Sequence, residues 1–247
     1  MENKEKIIKS FDLIYESWQV YAKNFVKFIQ LIAYGLIGII PMFVLIALFY
    51  IYGVSGLAQK ASVITNIIFG AIAFFSFFAS LYFAILYSIR SSVASLLLIK
   101  NNFTSAKKNF KEAKPYFVKF LGVSLLTVVL ILAWGVLFII PAIIFGVYYC
   151  FASYILVLED ARPFTSVERS YDLVRGYFWP VIGRLALVYL IGFIIYYIIS
   201  LPLDWMNDTS TAGISYSVFF NLVWIAISPY FMVYAYNLYK SLKKVNK

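Results

Sequence analysis

The chain has 247 residues, of which 63% are apolar or aromatic and only 13% charged, whereas a soluble domain is roughly half apolar and about one quarter charged. A water-soluble fold would have to expose much of that surplus and would aggregate, so a soluble globule is excluded. The formal charge of +10, with no His and the single Cys150, leaves neither a disulfide framework nor a metal-ligand set, and nothing in the sequence asks for a cofactor.

The first segment reads as an amphipathic helix. Ile7, Ile8, Phe11, Ile14, Tyr15, Trp18 and Tyr21 recur at helical spacing opposite Lys6, Lys9, Asp12 and Glu16, a pattern that lies flat at a membrane interface. Glu2, Glu5, Asp12 and Glu16 precede the first apolar run and no small-residue cleavage site follows, which argues against a cleavable signal.

A membrane-spanning helix needs about 20 apolar residues. Six stretches qualify: Phe28 to Tyr52, Thr65 to Ile89, Val118 to Ile140, Ala142 to Leu158, Val181 to Leu201 and Ile214 to Tyr239. The third and fourth form one uncharged run after Lys119. As a single helix that run would be about twice the hydrocarbon thickness, so a tight hairpin is expected at Pro141.

With these six spans, all of the 21 Lys and Arg except Lys60 fall on one side, whereas the opposite side carries Lys60, Asp204 and Asp208. Such bias over short loops places the basic side in the cytoplasm. The expectation is therefore a multipass plasma-membrane protein with cytoplasmic N- and C-termini. Because the basic residues flank apolar runs, anionic lipid is the expected partner and nucleic acid is not.

An internal repeat runs through the cytoplasmic segments. Aromatic residues stand at seven-residue intervals in each: Phe11, Trp18 and Phe25; Phe103, Phe110 and Phe117; Phe164, Tyr171 and Phe178. Ser105 and Ser166, Gly122 and Gly183, and Pro141 and Pro202 are pairs at one offset of 61 residues, whereas the first copy has Pro41 at a different place. The expected fold is all-α and integral to the membrane, with about six transmembrane helices. It forms a single polytopic domain over 1–247 made of three repeats, each an interfacial amphipathic helix plus a transmembrane pair, spanning about 1–100, 101–160 and 161–247.

Interface anchoring explains the aromatic faces, and a specific lipid or partner groove is the alternative. Trp18, Phe110, Phe117, Tyr171, Phe178 and Trp179, with Arg169, Arg175 and Arg184, are the candidate contacts. In the third copy Thr165 and Glu168 have capping-box spacing, so a helix is expected to start there. Asp172 lies three residues from Arg169 and from Arg175, close enough to pair on one face. Glu159 and Asp160 follow the fourth span, where carboxylates oppose the helix dipole. Arg162, Arg184 or Arg90 are their expected partners.

The run Leu158-Glu159-Asp160, then Ser166, Arg169-Ser170, Leu173-Val174, Arg175-Gly176 and Trp179, behind a helix opened by Pro141, resembles the membrane domain of certain bacterial glycerophosphoryl diester phosphodiesterases. Envelope proteins of the YciC kind are similar over about the same residues, 110 to 200. In the phosphodiesterases catalysis belongs to a separate soluble barrel, for which this chain has no room. The resemblance implies a shared membrane architecture without that activity.

Three function classes follow. An intramembrane enzyme would need acids, bases or ligands at depth, and Cys150 has no evident base. A transporter would use interrupted helices and polar residues such as Asn66, Asn221 and Ser228-Pro229, with Gly35, Gly38 and Gly192 admitting close helix approach. The reading favoured here is a non-catalytic protein serving lipid or an unidentified membrane or envelope partner through its basic cytoplasmic face, with a small-molecule or lipid permease as the alternative.

Overall fold

The structure is a computed structural model and describes residues 7–60, 62–137, 139–205 and 210–246. Lys4, Lys6, Glu2, Glu5, Asp208 and Lys247, used above in sorting charge, lie outside the described residues. Among the described residues every element is helical: α1 (Ser10–Lys23), α2 (Phe25–Ile37), α3 (Ile40–Val54), α4 (Leu57–Lys60), α5 (Val63–Lys100), α6 (Ala106–Glu112), a 3-10 turn (Lys114–Tyr116), α7 (Phe117–Leu137), α8 (Ile139–Tyr149), α9 (Ala152–Leu158), α10 (Pro163–Val174), α11 (Phe178–Trp205) and α12 (Thr211–Val245). This is what lipid demands, since a helix satisfies its backbone groups within itself.

Five helical stretches are long and apolar enough to cross a membrane, and α2 with α3 makes a sixth if that pair, bent by 42°, is one span. The chain is an all-α multipass membrane protein. The span expected from Phe28 to Tyr52 is thus broken. Pro41 explains the break: it lacks an N–H and its ring clashes with the carbonyl four residues back, which here is Ile37, the last residue of α2. Pro141 stands near the start of α8. Pro202 differs. It lies inside α11 near the end of that helix.

The chain packs as two compact units, residues 1–29 with 118–247, and residues 30–117. These boundaries do not coincide with those of the expected repeats. In the first unit the core gathers Leu13, Phe151, Ile155, Val174, Val181, Tyr234, Leu238 and Leu242. These residues come from the lysine- and arginine-bearing ends of the spans and from α1 and α10, so the packed core sits at the basic end. The mid-span surfaces of α7 and α11 are largely exposed, as lipid-facing helices are.

In the second unit α5 is 38 residues long, about 57 Å at 1.5 Å per residue. It outruns the hydrocarbon, and its last turns supply the buried run Val93, Ala94 and Leu96 to Ile99. The short α6 packs against α5. Ser62 starts α5 by accepting the Thr65 amide at 3.2 Å, and Ser210 does the same for α12 through Gly213 at 3.0 Å, each taking one of the amides a helix leaves unpaired.

Candidate functional site

The basic end of the first unit is held by a small set of polar contacts. Glu159 closes α9 and its carboxylate receives three donors: Arg169 at 2.9 Å, Lys243 at 2.7 Å and the Tyr239 hydroxyl. Partial burial pushes the Glu159 carboxyl up, but the hydrogen bonds and charge of Lys243, Tyr239 and Arg169 outweigh it and hold the group below its ordinary value. Asp160, the next residue, stands at φ 53, a left-handed conformation that Asp tolerates better than most, and pairs with Lys119 at 3.4 Å. The partners expected from sequence, Arg162, Arg184 and Arg90, are not the ones used. Arg169 points to Glu159 rather than along its own helix to Asp172, because the Glu159 carboxylate is part-buried, where attraction is less screened.

Arg184 has a different task. Its guanidinium donates to the carbonyl of Ile8 at 2.8 and 3.0 Å and to Pro180 at 3.0 Å, and its own carbonyl accepts the Tyr234 hydroxyl at 2.9 Å. It thus fastens the approach to α1 onto α11 and α12. Ile8 is also held from the other side, its amide donating to Ser241 at 3.1 Å.

Two serines lock helices by bonds that no sequence spacing showed. Ser170 on α10 accepts the Phe151 amide at 3.2 Å and donates to the Tyr148 carbonyl at 2.7 Å, bridging the break between α8 and α9. The stretch expected as one helix from Ala142 to Leu158 is therefore interrupted at Cys150 and Phe151, and the hydroxyl substitutes for the backbone bonds lost there. Ser17 on α1 donates to Leu13 at 2.6 Å and accepts Asn237 of α12 at 2.9 Å. In the second unit Asn109 on α6 accepts Asn101 at 2.7 Å and donates to Thr104 at 3.1 Å. Ser17, Asn109 and Ser170 are each fully buried, and each immediately precedes the central aromatic of its trio. That position is the more deeply buried of the two in each trio.

The aromatics take up what remains. Trp18 is 53% exposed and its ring lies 5.7 Å from Tyr21 and 6.0 Å from Tyr230. Tyr171 stacks at 4.6 Å on Tyr148, which also meets Phe178 at 5.5 Å. Trp179 is 79% exposed. Phe110 lies under the Arg90 guanidinium at 4.3 Å, and its carbonyl accepts Arg90 at 3.1 Å, whereas Phe117 makes an edge contact with Tyr82 at 6.5 Å. Arg175 is exposed and closes α10 ahead of Gly176, whose φ of 88 suits only glycine well.

The capping box does not form. The helix α10 begins at Pro163, its N-cap is Arg162, and no side chain caps it. Proline at the first position, with φ preset and no amide to satisfy, moves the N-cap from the expected Thr165 to Arg162, three residues earlier. Thr165 and Glu168 consequently lie within it, with Glu168 exposed.

Of the polar residues considered for transport, Asn221 donates to Ser217 at 2.7 Å and Ser228 to Ile225 at 2.8 Å, both along their own helix. The Ile225 carbonyl is the one Pro229 leaves unpaired, and the Tyr21 hydroxyl serves the next, Ala226, at 2.6 Å. Burial pushes the Tyr21 hydroxyl up to about 12, so it stays a donor at neutral pH. Gly38 and Gly192 are points of close approach: an added Cβ would lie 2.5 Å from Tyr87 Cβ and 2.6 Å from the Phe231 ring.

Between α1 and α12 a polar groove of about 460 Å³ is lined by Ile8, Glu16, Asn237, Lys240, Ser241 and Lys244. Apolar grooves flank α3, one of them lined by Met42, Leu45, Phe49, Phe74 and Phe77. Among the described residues no three His, Cys, Asp or Glu side chains come together as a metal would need. Glu159, with three donors, is a fastening rather than a free base. No family model matches the chain, and no curated protein and no solved structure matches it.

Proposed function

We propose that this multipass protein acts, without catalysis, as a lipid- or envelope-associated accessory of the plasma membrane, working through a basic face turned to the cytoplasm. The observation that carries the reading is the keying of α1, α6 and α10 to the ends of membrane helices by buried Ser17, Asn109 and Ser170. Polar groups buried and paired in this way hold a helix in one orientation. The outward sides of these helices then present Trp18, Phe11 and Phe164 with Lys9, Lys107, Lys108 and Arg175 at the surface. Aromatic rings settle at headgroup level, and each nearby Lys or Arg adds about 1 kcal/mol of attraction to an anionic leaflet. The three copies serve as a repeated contact, and both termini lie on the inner side because the basic bias sits there. The resemblance to the membrane domain of the phosphodiesterases supports the same reading, as an architecture without their enzyme.

The test is lipid retention. Protein reconstituted in mixed phosphatidylcholine and phosphatidylglycerol vesicles, then released in mild detergent, should keep the anionic lipid well above its bulk fraction. Retention in proportion to bulk composition would overturn the reading.

A permease is the second reading, favoured by the 42° bend between α2 and α3, since transporters build sites at interrupted helices. Against it stand the apolar lining beside α3 and the local bonding of Asn221. Solute or lipid flux in vesicles, lost on Asn221→Leu, would favour it over the first.

A further inference from the structure

We infer that the groove between α1 and α12 is a binding site for a phosphoglycerol lipid headgroup, an anionic phosphodiester that carries free hydroxyls. This deepens the proposed lipid-facing role and rests on it. Four lining positions of α12, Asn237, Lys240, Ser241 and Lys244, are spaced to share one helix face. Neither Lys240 nor Lys244 forms an ion pair among the described residues, in contrast to Lys243 on the same turn, which is held by Glu159. Two ammonium groups thus flank one concave space with no carboxylate bound to either.

Donors and acceptors around them are already oriented. The Ser241 oxygen accepts the Ile8 amide at 3.1 Å, which leaves its own proton to donate outward. The Asn237 amide nitrogen is committed to Ser17 at 2.9 Å, which turns its carbonyl oxygen into the available group. Glu16 adds a carboxylate on the facing wall. A bare phosphate would be drawn by the lysines and repelled by Glu16. A phosphodiester bearing glycerol hydroxyls satisfies both walls: its phosphate oxygens take Lys240, Lys244 and Ser241, and its hydroxyls donate to Glu16 and Asn237.

The source is lipid rather than a free phosphoglycerol because of where the groove lies. It opens where the apolar run of α12 gives way to lysines, beside the exposed Tyr15 and Trp18 of α1. Such aromatics and snorkelling lysines mark headgroup depth.

The experiment uses the full chain in nanodiscs of phosphatidylcholine doped with either phosphatidylglycerol or phosphatidic acid, with retained lipid counted by native mass spectrometry. The expected result is preferential retention of phosphatidylglycerol, reduced roughly tenfold by Lys240→Gln with Lys244→Gln and unchanged by Lys60→Gln in α4. Glu16→Gln should narrow the preference for phosphatidylglycerol over phosphatidic acid, a readout that needs neither lysine changed. Charge-dependent retention that survives the double substitution would overturn the groove and leave the broader lipid reading standing, whereas retention indifferent to lipid charge in the unaltered chain would overturn both. Displacement of the retained lipid by soluble glycerophosphate at millimolar concentration would show that the groove binds the free ester, and would overturn the lipid assignment.

Discussion

Asn237 donates its side-chain amide to the Ser17 hydroxyl at 2.9 Å, a side-chain bond that ties α12 to α1 at the basic end, beside the Tyr21 hydroxyl on Ala226. Ser17 is fully buried and passes its own proton to Leu13. Asn237→Leu strands that hydroxyl's acceptor side and leaves the groove floor apolar. The expected cost is about 1–3 kcal/mol, read as a lower thermal midpoint in detergent. Ser17→Ala with Asn237→Leu should cost less than the sum of the two single changes, because the pair is coupled. Strict additivity would show that the bond carries no weight.

Glu159 makes stability depend on pH. Its carboxyl is held below its ordinary value in the folded protein, so its contribution is present above the unfolded value and is lost as pH falls through the folded one. Thermal midpoints should therefore decline on acidification below about pH 4.3, the ordinary Glu value. Glu159→Gln should lower the midpoint at pH 7 and flatten that decline. An unchanged acid profile in the variant would assign the decline to other carboxylates.

The break between α8 and α9 should answer to a single hydroxyl. Ser170→Ala removes the partner of the Phe151 amide and of the Tyr148 carbonyl together, and a buried unpaired group costs about 1–3 kcal/mol. Hydrogen exchange should quicken at Phe151 and its neighbours while the middle of α11 keeps its protection. Uniform protection throughout would show that the serine is not what holds the break.

Close approach at Gly38 gives a fourth test. Gly38→Ala would drive its Cβ to 2.5 Å from Tyr87 Cβ and 2.7 Å from the Phe83 carbonyl, a clash with backbone that cannot rotate away. A loss of about 1–3 kcal/mol is expected. At Gly70 an added Cβ meets nothing within 4 Å, so Gly70→Ala should be neutral or slightly stabilising, as alanine favours a helix.

Hydropathy made the membrane class legible, since the long apolar runs at Thr65, Val118, Val181 and Ile214 all became helices. The long run after Lys119 was legible as two spans, whereas the bend at Pro41 within the stretch from Phe28 to Tyr52 was not. The aromatic trios were conspicuous, yet the fully buried positions were the residues before their central members. A lone Ser or Asn carries no periodic signal, and its role depends on what the facing helix offers: Asn237 to Ser17, a helix break to Ser170. The partners of Glu159 were hidden for the same reason. Tyr239 and Lys243 lie 80 and 84 positions away, and only the packing of α9 against α12 brings them near.

One relationship among the helices extends to the connectivity itself. The helix α6 packs on α5 and α10 on α8 and α9, the helices just before them in sequence, whereas α1 packs on α12. Arg184 and Ser241 hold Ile8 at that junction. Within the first unit the α1–α12 joint is thus comparable to the α9–α10 joint. Linking position 246 to position 7 with a short flexible peptide and opening new ends between α9 and α10 should give a circular permutant that still inserts and folds.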